Sequence, residues 1–274
     1  MAGRSPGNRL LMTELNERPF AVVTGASSGI GHELARQGFD LLVVAENEEI
    51  TAVPAQLERA GSQITAMQVD LAEPTEVDGF ATKIRSLNRP VSLLAINAGV
   101  GASGGFVRDT SLADQLAVVD LNVRSAVHLA KLLVPDLVDQ ERGRVLFTTS
   151  IAATSPGPFQ AVYHASKAFL QSFAQGLREE LRSTGVTVTA VMPGTTATRF
   201  FARAGMTDTK IGTAPKDDAT DVARQAVAAT LAGKDHVVTG SLRNKVQAVA
   251  GRVLPDRILT AVQRRVFAPG TAHR

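Results

Sequence analysis

The sequence predicts an α/β protein, a single-domain doubly wound sheet of about seven parallel strands with helices on both faces. Three observations predict it. Short apolar runs are rich in branched residues, helical patterns alternate with them along the chain, and a glycine-rich turn follows the first run directly. Strands are expected at Phe20–Thr24, Leu41–Ala45, Ile64–Val69, Leu93–Asn97, Arg144–Thr149, Thr187–Met192 and His236–Thr239. Between them, Leu112–Leu133 and Ala161–Ser183 carry helical periodicity, enough for the right-handed crossovers that parallel strands require. No linker and no internal repeat interrupts the alternation. One domain is therefore expected over residues 19–240, with an irregular segment at 195–217.

Composition narrows the function classes. The chain has 274 residues, 44% of them hydrophobic and 20% charged, which is ample for a sizeable core. It has no cysteine, which excludes disulfides, thiol catalysis and thiolate metal sites and fits a cytoplasmic setting. Nor does any group of residues show metal-ligand spacing, so no metal is expected. No run of about 18 apolar residues predicts a membrane span. The polar stretch Met1 to Phe20 lacks the apolar centre of a signal peptide, so residues 1–18 read as a flexible extension, with Met12 a candidate natural start. The net charge of +3 is unevenly spread: from Ser241 onward seven basic residues face Asp256 alone, a balance of +6, so the preceding 240 residues carry −3. With one tyrosine and no tryptophan, the chain lacks the aromatic-interleaved basic stripe of a nucleic-acid binder.

The segment Thr24-Gly25-Ala26-Ser27-Ser28-Gly29-Ile30-Gly31 leaves the first strand and opens a helix. Gly25 allows a sharp turn, Gly29 a close backbone approach to a pyrophosphate, and Gly31 tight helix–strand packing. Free amides at the helix start, from Ser27 to Ile30, face the phosphate charge. This is the Rossmann-like dinucleotide turn, and it needs an acidic residue about 20 positions on, at the end of the second strand. Glu46 meets that need, 21 residues after Gly25. Its carboxylate suits the two ribose hydroxyls of NAD(H). A 2′-phosphate would face Glu46, Glu48 and Glu49 with no Lys or Arg from Leu41 through Leu57, so NAD(H) is the preferred cofactor and NADP(H) the alternative.

Further along, Tyr163-His164-Ala165-Ser166-Lys167 resembles the Tyr-x-x-x-Lys signature of the short-chain dehydrogenase/reductase family, and Ser150 stands thirteen residues before the tyrosine, as in that family. The spacing of Gly25, Gly29 and Gly31 resembles its classical subgroup. Asn97-Ala98-Gly99 is similar to the family's Asn-Ala-Gly motif, with Ile96 where a first Asn is common. Asn122 falls at the helix-borne catalytic Asn, Asp70 and Leu71 at the adenine-contacting pair, and Pro193, Gly194 and Thr198 at the segment beside the nicotinamide. The resemblance runs from about Phe20 to Thr198. It implies a catalytic set of Asn122, Ser150, Tyr163 and Lys167, with Tyr163 and Lys167 also touching the cofactor and Asn122 holding a water that relays protons from Lys167.

The chemistry is consistent with that implication. Tyr163 and Lys167 are four residues apart and share a helix face. A phenol is a poor base at neutral pH, and an adjacent ammonium, helped by a positive nicotinamide ring, would favour phenolate. Tyr163 would exchange the alcohol proton, and Ser150 would orient the substrate oxygen. His128 and His164 have no ligand-spaced partners and read as structural. The expected activity is NAD(P)-dependent hydride transfer between a secondary alcohol and a ketone; the competing reading is a non-catalytic dinucleotide sensor or scaffold.

In the 195–217 segment, Phe200, Phe201, Met206 and Ile211 suit a lid over a partly apolar small-molecule substrate or, equally, anchors that pin the segment to the body, with walls from Val100–Phe106 and Ile151–Phe159. Residues 241–274 read as a basic helical extension, with Leu254, Ile258, Val262 and Val266 recurring every four residues. Such a helix can cover the substrate cleft, pack in a homodimer or sit on an anionic membrane; packing or dimerisation is its first expected role, and peripheral membrane contact the lesser one. Thr239-Gly240-Ser241 stands where many family members have Asp-Gly-Gly. That departure favours a homodimer, through the helices bearing Asn122 and Tyr163, over the tetramer common in the family.

Overall fold

The computed structural model describes residues 18–57 and 62–272. The extension expected over residues 1–18 therefore lies, apart from Arg18, outside the described residues. Seven strands form one parallel sheet: β1 (Phe20–Thr24), β2 (Asp40–Ala45), β3 (Ile64–Gln68), β4 (Val91–Ile96), β5 (Gly143–Thr148), β6 (Val186–Pro193) and β7 (His236–Thr239). Their order is β3-β2-β1-β4-β5-β6-β7. Each expected strand is present. The ends differ slightly: Val69, Asn97 and Thr149 lie just beyond their strands, and β6 runs on to Pro193.

The pleat sends alternate side chains to opposite faces, and both faces are buried. Phe20 and Val22 of β1 join a layer with α3 (Pro74–Ser86), α5 (Ser125–Asp139) and α6 (Ala161–Glu180), where Phe80, Leu129, Phe147 and Leu170 are buried. Ala21 and Val23 face the opposite layer, made with α1 (Gly29–Ala35), α2 (Val53–Leu57) and α9 (Ala219–Leu231). Each fully buried Leu or Phe contributes roughly 1.5–3 kcal/mol. The connections from β1 and β4 leave in opposite directions, so a crevice opens at their C-terminal ends, where a doubly wound sheet binds ligands.

The helix expected over Leu112–Leu133 is interrupted. α4 (Leu112–Val119) starts at a capping box, in which Ser111 Oγ accepts from the Asp114 N–H at 3.0 Å. It passes into a π-turn at Asp120–Arg124, and α5 follows. Periodicity carries no signal for that one-residue insertion, which holds Asn122. Beyond it α5 continues through Pro135, two residues past the expected end and on to Asp139. An internal proline costs about 3 kcal/mol, and burial of Val134 and Leu137 on either side of it offsets that cost.

The 195–217 segment is more ordered than expected. It carries α7 (Phe200–Arg203) and α8 (Lys210–Thr213), the latter capped by Thr209, whose Oγ1 accepts from the Gly212 N–H at 3.1 Å. Phe201, Met206 and Ile211 are buried in a third apolar cluster with Phe267, the last residue of α11 (Asp256–Phe267). The tail forms the two helices expected of it, α10 (Leu242–Val253) and α11, and the side of α11 that is buried is not its four-residue apolar repeat. Leu259, Gln263 and Phe267 face the body, while Leu254, Ile258 and Val262 are exposed. The shift is one residue, about 100° of helix. Burying the Phe267 ring against the third cluster, together with a hydrogen bond from Gln263 Nε2 to Ser155 Oγ at 3.0 Å, decides which face turns inward.

Candidate active site

The crevice at the ends of β1 and β4 is floored by the glycine turn. Gly25 and Gly29 have φ of +66° and +63°, values that L side chains rarely adopt. A Cβ on Gly25 would come within 2.8 Å of Ala98 Cα, and one on Gly31 would collide with the Gly25 carbonyl. The turn is thus packed against the β4 end with backbone, not side chain, facing the crevice. Asn97 ties three strand ends together. Its N–H donates to Thr24 Oγ1 at 2.9 Å, its Nδ2 to Thr24 O at 2.9 Å, and its Oδ1 accepts from Thr148 Oγ1 at 2.9 Å. A cradle of bare backbone with Glu46 at its far edge fits a dinucleotide.

Most of the expected cofactor residues line this one crevice: Ser27, Ser28 and Ile30 of the turn, Leu71, Ala98 and Gly99, then Pro193, Gly194 and Thr198. Asp70 does not. Its Oδ1 accepts from the Ala72 N–H at 2.8 Å, closing the turn after β3. Sequence reasoning missed a cation. Arg199, far along the chain, forms a two-bond ion pair with Glu49, one bond at 2.8 Å, and its guanidinium holds the Glu49 carboxyl below the usual range. The acidic edge of Glu46, Glu48 and Glu49 therefore has a basic neighbour that no window on residues 41–57 contains.

The reacting groups meet where β5 and α6 come together. Ser150 follows β5; its Oγ accepts from the Ala152 N–H at 3.1 Å and donates to Pro193 O at 3.5 Å, and it adjoins the Tyr163 phenol, whose pKa it pulls down. Lys167 lies one turn along α6, buried, and its Nζ donates to Thr148 O at 2.9 Å. Asn122, fully buried in the π-turn, stands behind them. Its Oδ1 accepts from the Val100 N–H at 2.9 Å, and its Nδ2 donates to Val100 O at 2.9 Å and to Ser166 Oγ at 3.0 Å. A Cβ on Gly99 would lie 3.1 Å from both Asn122 Oδ1 and Lys167 Nζ, so the two groups adjoin across that glycine.

Desolvation dominates the electrostatics of the protein's own groups. Burial pushes the Tyr163 phenol up to about 12, against a downward pull from Ser150, and burial draws Lys167 down to about 8. Desolvation of the phenolate outweighs the pull of the ammonium, which sits 5.9 Å from the ring centroid and is directed at a carbonyl. The protein's own groups hold Tyr163 as a neutral acid.

Beyond the tyrosine the crevice widens into a chamber walled by Ile151, Phe200, Phe201, Met206, Ile211 and Phe267. The segment thus serves both expected roles, since the side chains that anchor it also line the chamber. Phe200 stacks on Tyr163 at 5.1 Å, tilted 45°. Of the opposite walls expected from Val100–Phe106 and Ile151–Phe159, Val100, Ile151 and Ala152 contribute, while Phe106 is exposed. His128 is held by Asp78 at 2.9 Å on the outer face. His164 belongs to the chamber wall. Its ring packs edge-on to Phe267 at 5.4 Å, Nδ1 bonds Ser155 O at 2.8 Å, burial lowers its pKa, and Nε2 has no partner. Gln160, one turn earlier, likewise has an unpartnered buried Oε1. Gln247, Gln263 and Phe267, from the two tail helices, complete the wall. The tail thus covers part of the chamber, one of the roles open to its helix.

A dinucleotide cradle joined to a Ser–Tyr–Lys group under an apolar chamber defines a nicotinamide-dependent oxidoreductase. Residues 19–208 match the short chain dehydrogenase family. The chain belongs to that family, and it is an NAD(P)-dependent oxidoreductase. It is 33% identical over 185 residues to the very-long-chain 3-oxoacyl-CoA reductase of Mycosarcoma maydis, a match covering 64% of this chain and 52% of that one, about half its length. Among solved structures, a short-chain dehydrogenase from Sphingobium yanoikuyae in complex with NADPH superposes with a TM-score of 0.74 at 30% identity, covering 80% of this chain and 87% of that one. A short-chain dehydrogenase/reductase from Burkholderia phymatum in complex with NAD gives 0.77 at 23%, covering 92% and 98%, a likeness of fold.

Proposed function

We propose that the protein is a carbonyl reductase or alcohol dehydrogenase acting on a partly apolar ketone or secondary alcohol, with NAD(H) preferred over NADP(H). The observation that carries the reading is the grouping of Ser150 and Tyr163 beside buried Lys167, at the junction of cradle and chamber. The nicotinamide, when bound, supplies or accepts the hydride. The rest is done by the chain. Ser150 hydrogen-bonds the substrate oxygen. Tyr163, held as a neutral phenol, is in the form that gives a proton to that oxygen during reduction. Lys167 compensates the phenolate left behind, and Asn122 acts as a positioning residue through Val100 and Ser166.

The apolar walls favour a hydrophobic substrate body, and the unpartnered Gln160 Oε1 and His164 Nε2 favour one that also carries a hydrogen-bond donor. The cofactor preference rests on Glu46 at the edge of the cradle. A homodimer through the helices bearing Asn122 and Tyr163 is part of the proposal, supported by exposed Leu112 and Leu116 on α4, which leads into the π-turn of Asn122, and by exposed Phe169 on α6. So is a cytoplasmic setting, supported by the absence of cysteine. The test is binding of NADH and NADPH to the purified chain, followed by a panel of ketones with the tighter cofactor. Tighter NADH binding with turnover is expected. Binding without turnover would favour a dinucleotide sensor, and binding of neither would overturn the reading.

A further inference from the structure

The tail helices present an apolar ridge that the fold does not use. On α10, Leu242, Val246, Val249 and Val253 are 62–75% exposed. At 100° per residue they fall within an arc of about 60°. The opposite side of the helix holds Asn244 and Ala248, which are buried against the body. Large apolar side chains aimed straight at solvent along a whole helix are not ordinary surface. The ridge continues through exposed Leu254 and, past Pro255, into the exposed Ile258 and Val262 of α11.

Charge indicates what covers it. Lys245 and Arg252 flank the α10 ridge on one side and Arg243 on the other, all exposed, and α11 adds exposed Arg257, Arg264 and Arg265. Asp256 is the one acid on the two helices. A second copy docked ridge to ridge would bring these cations against their own equivalents, a like-charge arrangement. An apolar ridge between rows of cations is instead the pattern of a helix lying in the interface of an anionic bilayer. Among the described residues no helix is long and apolar enough to cross a membrane.

We propose that α10 and α11 seat the enzyme on an anionic lipid surface, with the α10 ridge in the acyl boundary and the flanking cations at the headgroups. Gln247, Gln263 and Phe267 of the same helices wall the chamber, so the docked face lies beside the site where an apolar substrate enters.

The test is flotation of the full chain with vesicles of phosphatidylcholine alone or with about 30% phosphatidylserine, at low and high salt. Binding is expected on the phosphatidylserine vesicles, falling at least about tenfold in 0.5 M salt. It is also expected to be lost when Val246→Ser, Val249→Ser and Val253→Ser are combined, or when Arg243→Glu, Lys245→Glu and Arg252→Glu are combined. Unchanged cofactor binding by both variants shows that they fold. Absence of flotation, or flotation unaffected by either triple variant, would overturn the proposal. So would a serine variant that turns a dimer into a monomer when the parent never floats, which would assign the ridge to a second copy. Lipid binding is read without turnover, so its failure is separable from failure of the proposed activity.

Discussion

The two halves of the crevice are built from different materials. The cofactor side is made of backbone: Gly25 and Gly29 at positive φ, Gly31 with no room for a Cβ, and strand ends stitched by Asn97. The substrate side is made of side chains from distant parts of the chain: Phe201, Met206 and Ile211 of the segment after β6, and Phe267 at the end of α11. A backbone-built site tolerates almost no substitution, because every side chain is excess. A side-chain-built site can be reshaped residue by residue. The comparison explains how one scaffold keeps a common cofactor while its substrate varies.

The sharpest way to separate the halves is at their seam. Ser150→Ala should lower kcat by about 10²–10³-fold while leaving cofactor affinity unchanged, since the serine faces the reacting oxygen. Steady-state kinetics with a fluorescence titration of NADH checks both. On the chamber side, Phe267→Ala should destabilise the protein by about 3 kcal/mol in urea titrations. It should raise the substrate KM with little change in cofactor binding. Equal loss of cofactor affinity would erase the distinction between the halves.

Lys167 gives a pH test. Its folded pKa of about 8 lies below the ordinary lysine value of 10.5, so between those values the unfolded chain binds more protons than the folded one. Stability should therefore rise as pH climbs from about 8 towards 10, and Lys167→Met should remove that rise in melting curves. Above pH 10 the trend reverses, because Tyr163 stays protonated in the fold up to about 12 while the unfolded phenol ionises. The smallest effect belongs to the exposed Arg199–Glu49 pair. Arg199→Gln should leave the urea midpoint essentially unchanged, and a substantial change would make the pair a structural clasp across the crevice.

How much of this was legible in the sequence follows the same division. Strand alternation and the glycine turn are local patterns, so the sheet and the cradle could be read directly. The Ser150, Tyr163 and Lys167 spacing also survives in sequence, because β5 and α6 are each regular and the residues are near one another along the chain. The π-turn at Asp120–Arg124 left no trace, since one added residue barely disturbs helical periodicity. The inward face of α11 lies one residue from its apolar repeat, and the repeat could not show it because the choice depends on Phe267 meeting His164 and the third cluster. Arg199 reached Glu49 unforeseen for the same reason: the chain separates them by 150 residues. The phenol's raised pKa was unforeseen because burial is a property of the fold, whereas the neighbouring lysine is visible in the spacing.

The measurement that bears most directly on the central claim is Tyr163→Phe, assayed for ketone reduction and for NADH binding in the same preparation. The account predicts that turnover falls by at least about 10²-fold while the cofactor binds as before, because only the proton donor has gone. Retention of most activity would contradict it and remove Tyr163 as the acid.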